Sequence, residues 1–217
     1  MLVFPTNTSN KNIYTIIVAL NIFMISIYHD YIITEKLDLN LDKMKSSCSE
    51  MYNLVKEKFA DGEDFNPVLT SHKQLYKKYN LFMYPFDEFY ELRKELARVF
   101  YTYSKTTEPH YVQCWLNVYQ RGDYIPYHEH WDAHENTWHG FYCVDCEPSR
   151  TTYRLPGIET PIDIPSKNNL LVMGKSQGDQ HRTWPWTEKD RPRITIAFDI
   201  LPRSHTDKYW LNHWVPL

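Results

Sequence analysis

Apolar side chains recur every three to four residues in two segments of the first half of the chain, which predicts two amphipathic helices. The first segment runs from about Leu41 to Phe59, and Gly62 follows it as a C-terminal stop signal. The second runs from about Phe86 to Tyr103. Residues 61–85 between them contain glycine and proline and are predicted to be mostly loop.

The apolar period changes from about 3.6 to 2 after residue 110, which predicts strands. Between Tyr111 and Tyr119 one face is apolar, while the other carries Gln113, Trp115, Asn117 and Tyr119. Further strands are predicted at His139–Val144, Thr151–Leu155, Ile162–Ile164, Leu170–Met173 and Arg193–Leu201. Two helices followed by many short strands favour a mainly β protein with helical support, as an antiparallel sandwich or jelly roll.

The amino-terminal region contains an uncharged run from Ile13 to Tyr28, which is short for a membrane span of about 20 residues. A weak hydrophobic anchor is one interpretation of this run. The preferred interpretation places the first strand at Met24–Thr34, with Met24 as the true start and residues 1–23 as an upstream extension.

These patterns divide the chain into four expected parts. Residues 1–28 are an extension or anchor, and residues 29–105 are a helical lead-in that supports the core. Residues 106–203 form the β-rich core, and residues 204–217 are an aromatic tail without a clear period.

Composition bounds the function only loosely. The chain has 217 residues, a net charge of −3 and a pI near 6.4, so there is no strong nucleic-acid signal, although a local basic groove is compatible with these values. Its four cysteines do not form a disulfide framework, and Cys143 and Cys146 make a single C-x-x-C. We expect buried, reduced thiols and a cytoplasmic protein.

A cluster of metal-ligating side chains lies between residues 128 and 132. Because residues i and i+2 of a strand face the same way, His128 and His130 share a face, as do His130 and Asp132. Two histidines and a carboxylate on one side of a metal leave the other positions open for reactants. The third ligand must come from elsewhere in the fold, and His181 is the candidate.

Arg193 opens an apolar strand twelve residues after His181, with Thr195 on the same face. A guanidinium binds a carboxylate through two parallel hydrogen bonds, and a neighbouring hydroxyl adds a third. Arg191 is the weaker candidate for this role, because Pro192 interrupts the strand before it.

Over residues 110–202 the chain resembles the 2-oxoglutarate/Fe(II)-dependent oxygenase superfamily, in particular its prolyl-hydroxylase-like branch and small oxygenases of bacteria and phages. The resemblance rests on Tyr119-Gln-Arg-Gly122 before His128, on His181 as the distal histidine, and on Arg193-x-Thr195. It implies a double-stranded β-helix, which is a cupin-like jelly roll of eight strands. It also implies that Arg193 and Thr195 bind 2-oxoglutarate, with Tyr119 and Asn117 lining its pocket.

The chain departs from the family at the first ligand pair, where His-x-Asp or His-x-Glu is usual and His128-Glu129-His130 stands here. Three ligand sets remain open. In the first, iron is held by His128, His130 and His181. In the second, His130 and Asp132 form the His-x-Asp pair, and His128 is not a ligand. In the third, His128 and Asp132 are the ligands, and the chain between them forms a bulge. Of these possibilities, we favour those in which His128 and His181 are ligands. His130 and Asp132 then compete for the third place.

The implied activity is hydroxylation of an unknown substrate, with a peptidyl residue as the analogy-led choice, and release of succinate and CO2. The implied cofactors are Fe(II) and 2-oxoglutarate, with ascorbate as accessory reductant, and His128, His181 and Arg193 are the expected catalytic residues. Two alternatives are a cupin-like metalloenzyme that does not use 2-oxoglutarate and a non-catalytic jelly-roll binding module. Four tryptophans flank the expected ligands and are candidates for stacking on a ring or for packing: Trp131, Trp138, Trp184 and Trp186.

Overall fold

The structure is a computed structural model, which describes residues 2–5, 13–18, 23–28, 30–59, 75–131, 136–205 and 213–217. Up to residue 28 only the backbone is described.

Both predicted helices are confirmed, with bounds Leu41–Phe59 for α1 and Asp87–Ser104 for α2. Each buries one stripe of apolar side chains at helical spacing, such as Met44, Cys48 and Met51 in α1. The helix α2 ends where Lys105 adopts a left-handed conformation (φ 53°). Two short 3-10 helices, Leu75–Lys77 and Leu81–Met83, lie between them, and a third covers Arg203–His205.

Twelve strands are described: β1 Leu2–Pro5, β2 Ile13–Val18, β3 Phe23–Tyr28, β4 Ile32–Lys36, β5 His110–Tyr119, β6 Trp138–Asp145, β7 Ser149–Arg154, β8 Ile162–Ser166, β9 Leu170–Lys175, β10 Gln180–Thr183, β11 Arg193–Pro202 and β12 Val215–Pro216. The strands predicted beyond residue 110 are all present. The strand β10 was not predicted, because its four residues are polar and give no apolar alternation.

The strands form two antiparallel sheets. The larger has the order β1-β2-β3-β4-β9-β6-β11-β5-β12, and the smaller has the order β10-β7-β8. An isolated bridge between His128 and His181 adds the segment around His128 beside β10. Helix α1 contacts β6 of the larger sheet. The expectation of a mainly β protein with helical support is thus confirmed, and the described strands do not close into a single barrel.

The amino-terminal prediction needs a correction. The expected strand Met24–Thr34 is two strands, β3 and β4, separated by a turn in which Asp30 has a φ of 59°. The strand β4 pairs with β9, so this region joins the larger sheet. Among the described residues no helix has the length and apolar character that a membrane crossing requires. The four-part division of the chain stays a prediction.

All four cysteines are buried and free, as expected for reduced thiols. Burial raises the pKa of Cys114, which lies on the face of β5 opposite Trp115. An ion pair also joins the helical layer to the sheet, because the exposed Arg98 of α2 contacts the buried Glu35 of β4.

Gly140 lies at the centre of the larger sheet and has no room for a side chain. A Cβ there would stand 2.1 Å from the carbonyl oxygen of Val172 and 2.6 Å from the ring of Phe198. We therefore expect Gly140→Ala to lower the free energy of unfolding by about 1–3 kcal/mol, since a backbone atom must move. Urea unfolding measures this, with Gly174→Ala as the control because its nearest neighbour would be 3.3 Å away. An equal or larger loss in the control would contradict this explanation.

Candidate active site

A cavity of about 850 Å³ lies between the two sheets. The inward faces of β5 and β11 form one wall, and β10 with the segment around His128 forms another. Its principal polar lining residues are Gln113, Asn117, Tyr119, His128, Glu129, His130, His181, Thr183, Arg193, Thr195 and Asp199. The cavity therefore collects the described residues that the sequence preferred for metal and carboxylate binding.

The pairing of His128 with His181 brings the two preferred ligands together. The backbone N–H of each donates to the carbonyl oxygen of the other, at 3.1 and 3.0 Å. Paired residues of antiparallel strands project their side chains to the same side. Their ring centroids are accordingly 4.3 Å apart, and both rings face the cavity.

His130 completes a group of three imidazoles. His128, His130 and His181 each offer a ring nitrogen, and these nitrogens lie within 4.8 Å of one another. The chain turns sharply after His130, because Trp131 has a positive φ of 59°. The competing ligand Asp132 lies outside the described residues.

Hydrogen bonds fix which nitrogen of two rings is free. The Nδ1 atom of His128 lies 2.9 Å from the carbonyl oxygen of Pro126, and Nδ1 of His130 lies 2.7 Å from Oδ1 of Asp199. Because those oxygens accept, each Nδ1 carries a hydrogen, and in the uncharged form of each ring Nε2 keeps its lone pair. This pattern is typical of metal-ligating histidines, whose other ring N–H donates to a carbonyl or carboxylate.

A second carboxylate–histidine pair lies behind this group. Nε2 of His139 is 2.9 Å from Oδ2 of Asp179, and both side chains are buried. The His139 ring stacks against those of His130 and His181, with centroids 4.7 and 4.9 Å away. His139, Asp179 and His181 also offer ligand atoms that lie within 4.8 Å of one another.

Burial, reinforced by the neighbouring imidazoles, favours the uncharged form of two of these rings. Burial, followed by the neighbouring His130, lowers the pKa of His128 to about 4. Burial and the three surrounding histidines place the pKa of His181 well below its usual value. Burial also opposes charge on His130, but Asp199 outweighs it and raises the pKa of that ring. Neutral rings at His128 and His181 are the form that binds a metal ion.

Arg193 is a buried cation without a carboxylate partner in the described part of the chain. Its side chain is 1% exposed, and its Nε and Nη1 atoms have no hydrogen-bond partner there. Its Cζ atom lies 4.7 Å from the centre of the Tyr119 ring. Burial opposes its charge, but Tyr119, Cys146 and Cys143 together raise its pKa, so it remains cationic.

The other predicted pocket residues surround Arg193. Thr195 follows it by two positions on β11, and on β5 Tyr119 is paired with Arg193 and Asn117 with Thr195. The Tyr119 hydroxyl shares hydrogen bonds with Thr195 and Thr183. All of them line the cavity. Arg191, the weaker candidate, instead pairs with Asp145 outside it.

Sequence reasoning did not assign roles to Asp179, Asp199 and His139. Asp199 had a detectable signal, because it shares the two-residue period of Arg193 and Thr195 along β11. Asp179 precedes His181 by two positions, but β10 itself was not predicted.

The four flanking tryptophans have different environments. Trp131 lies at the cavity wall with Trp214, at a ring-centroid distance of 5.9 Å. Trp138 packs against Phe100 in the core, and Trp186 is buried. Trp184 lies beside arginine side chains on the smaller sheet.

No protein-family model matches the sequence, and no curated protein matches it. Solved structures do show similarity. The non-heme alpha-ketoglutarate-dependent carbocyclase SnoK from nogalamycin biosynthesis matches over 88% of this chain and 93% of that chain, with 12% identity and a TM-score of 0.56. A Pseudomonas putida prolyl-4-hydroxylase matches over 79% of this chain and 85% of that chain, with 12% identity and a TM-score of 0.52.

A third match, a 2OG-Fe(II) oxygenase family oxidoreductase from Burkholderia pseudomallei, is partial. It covers 48% of this chain and 50% of that chain, with 12% identity and a TM-score of 0.41, so this chain spans about half of its length. The two longer matches show that the chain has the fold of 2-oxoglutarate-dependent oxygenases. The predicted resemblance is confirmed at the level of fold.

We expect His128 of metal-free protein to stay neutral down to about pH 5 and to titrate near pH 4. An unfolded histidine titrates at about 6.5, so between these values the unfolded state binds more protons and acid lowers stability. NMR of the imidazole nuclei measures the pKa. Urea unfolding measures its consequence, which we expect to be smaller in His128→Gln. Titration of His128 near pH 6.5 would refute this assignment.

Proposed function

We propose that this protein is an Fe(II)- and 2-oxoglutarate-dependent dioxygenase that hydroxylates its substrate and releases succinate and CO2. One observation carries the proposal: the cavity that contains three clustered histidines also contains a buried guanidinium with unpaired nitrogens. A buried guanidinium without a carboxylate partner is costly, so the site is suited to a ligand that carries a carboxylate.

The histidines fit a ferrous ion. Nε2 of His128 and of His130 is left free by the Nδ1 hydrogen bonds, and His181 has a buried Nδ1 without a partner among the described residues. We assign His128, His130 and His181 as the ligands. In this assignment His130 occupies the usual carboxylate position and Asp199 orients its ring.

The opposite end of the cavity fits the cosubstrate. Arg193 offers a planar set of donors, and a hydroxyl lies two positions along at Thr195. Tyr119 covers the guanidinium with its ring, which keeps water away and strengthens the attraction for a carboxylate. Asn117 lies beside Thr195 on the neighbouring strand and lines the same pocket.

Bound iron and 2-oxoglutarate would supply the oxidising chemistry, with ascorbate as a reductant that maintains Fe(II). The chain supplies orientation. The bridge between β10 and the His128 segment holds two ligands in register, and Arg193 fixes the far end of the cosubstrate.

The two sheets support a double-stranded β-helix. The segment at His128, β10, β7 and β8 makes one four-stranded layer, and β9, β6, β11 and β5 make the facing layer. The similar prolyl-4-hydroxylase makes a peptidyl residue the proposed substrate. The aromatic side chains of Tyr76, Trp115 and Trp131 on the cavity wall provide an apolar surface for it.

A cupin-like metalloenzyme that does not use 2-oxoglutarate is a second candidate. The three-histidine group favours it, since such a set lacks the carboxylate that is usual in the oxygenases. The two functions differ in their need for Arg193.

Purified protein given Fe(II), ascorbate, air and 2-oxoglutarate should form succinate slowly, even without primary substrate. His181→Ala should abolish this turnover. Arg193→Lys keeps the charge but loses the forked geometry, so the KM for 2-oxoglutarate should rise about 10- to 100-fold, as expected for loss of charged hydrogen bonds worth ~1.5–3 kcal/mol. Failure of the folded, metal-loaded wild-type protein to form succinate would favour the cupin-like alternative, whereas an unchanged KM in folded Arg193→Lys would remove Arg193 from the cosubstrate site.

Measurements of metal affinity distinguish whether His130 or Asp132 is the third ligand. We expect His130→Ala to weaken Co(II) binding by more than the ~10- to 100-fold typical of a residue that only supports a ligand. Asp132→Asn should retain the wild-type affinity. Calorimetry with the metal alone reports this without turnover, and the reverse pattern would assign the ligand to Asp132.

A further inference from the structure

The outer face of the smaller sheet carries an unusual set of side chains. Along β10 and β7 the buried residues, such as His181 and Tyr153, alternate with Arg182, Arg150 and Arg154. Since successive residues of a strand point to opposite faces, these arginines lie on the side away from the cavity.

The three arginines alternate with two aromatic rings. Arg154 lies 3.9 Å from the centre of the Tyr127 ring, and Arg182 lies 5.0 Å from it. Arg182 also lies 4.6 Å from the Trp184 ring, and Arg150 lies 3.8 Å from that ring. The order Arg154, Tyr127, Arg182, Trp184, Arg150 forms one continuous row, which we term the arginine ladder.

A hydrogen bond fixes one ring of the arginine ladder, but few carboxylates of the described chain lie near its positive charges. The indole Nε1 of Trp184 donates to Thr152 Oγ1 at 2.7 Å, which fixes that ring. Asp163 lies 3.5 Å from Arg150, and both side chains are 46% exposed. Among the described residues no carboxylate lies within 4 Å of Arg154 or Arg182, and Nε of Arg182 is buried without a hydrogen-bond partner.

A contribution to folding stability does not by itself explain why the arginines and aromatic rings are arranged in this row. An exposed cation–π contact contributes about 0.5–1 kcal/mol, while adjacent like charges repel one another. The protein as a whole carries a net charge of −3, yet this face concentrates three guanidinium groups. Such local positive charge is suited to a polyanion.

We propose that the arginine ladder binds a single-stranded nucleic acid. The N–H edges of the guanidinium groups bind the phosphates. The bases stack on the outer faces of Arg154 and Arg150, which end the row. Flat cationic and aromatic groups in alternation match the combination of phosphate contact and base stacking that single strands require. An acidic peptide offers the charge but not the stacking surface. The surface lies on the opposite side of the sheet from the cavity, so it goes beyond the proposed oxygenase site.

Fluorescence anisotropy with a labelled oligothymidylate of about 10 nucleotides tests the proposal, a length within the site sizes of single-strand binders. At about 50 mM salt we expect saturable binding that weakens steeply as salt is added. Arg182→Gln should weaken binding about 10-fold and reduce the salt slope by about 0.7, since one phosphate contact is lost.

Arg154→Gln, at the end of the row, should also weaken binding. This variant replaces Arg182→Gln in the test if Arg182→Gln does not fold. Lys56→Gln is the control, because it removes one exposed charge from α1, which contacts the larger sheet. Three results would each overturn the proposal: no binding to folded protein, an equal loss in Lys56→Gln, or equal affinity for polyglutamate or for a phosphodiester chain without bases.

Discussion

The two-residue period of β11 places a cation, a hydroxyl and a carboxylate in one line along the cavity wall. Arg193, Thr195 and Asp199 all face inward, while the strand is hydrogen-bonded on both sides by β5 and β6. Asp199 contacts His130, and Arg193 lies at the other end with unpaired nitrogens. In the proposed site, this one strand would therefore set the distance between the iron and the far carboxylate of the cosubstrate.

This arrangement is costly for the empty protein. A buried guanidinium without a carboxylate and a group of buried imidazoles, two of which are kept uncharged, both oppose folding, and the surrounding core must offset them. Two carboxylate–histidine pairs, His130 with Asp199 and His139 with Asp179, reduce the cost. Under the proposed function, a metal ion and a dicarboxylate would reduce it further.

Local periodicity sufficed to predict α1, α2 and both faces of β5, because each element buries one regular stripe of side chains. It also placed Arg193 and Thr195 on one face. It did not predict β10, whose four polar residues form a strand only through pairing with β7. The partners Asp179 and Asp199 lie 40 and 69 residues from their histidines, and such contacts exist only in the folded chain. Whether His130 or Asp132 is the third ligand also depends on tertiary structure, which local periodicity does not predict.

Anaerobic calorimetry of 2-oxoglutarate binding tests the proposed site most directly. We predict one molecule bound per chain, only after Fe(II) or Mn(II) has been added, because the histidine group and Arg193 hold opposite ends of the same ligand. Succinate, which keeps the far carboxylate but lacks the keto acid, should bind more weakly. Absence of metal-dependent 2-oxoglutarate binding to folded, metal-loaded protein would contradict the proposed function.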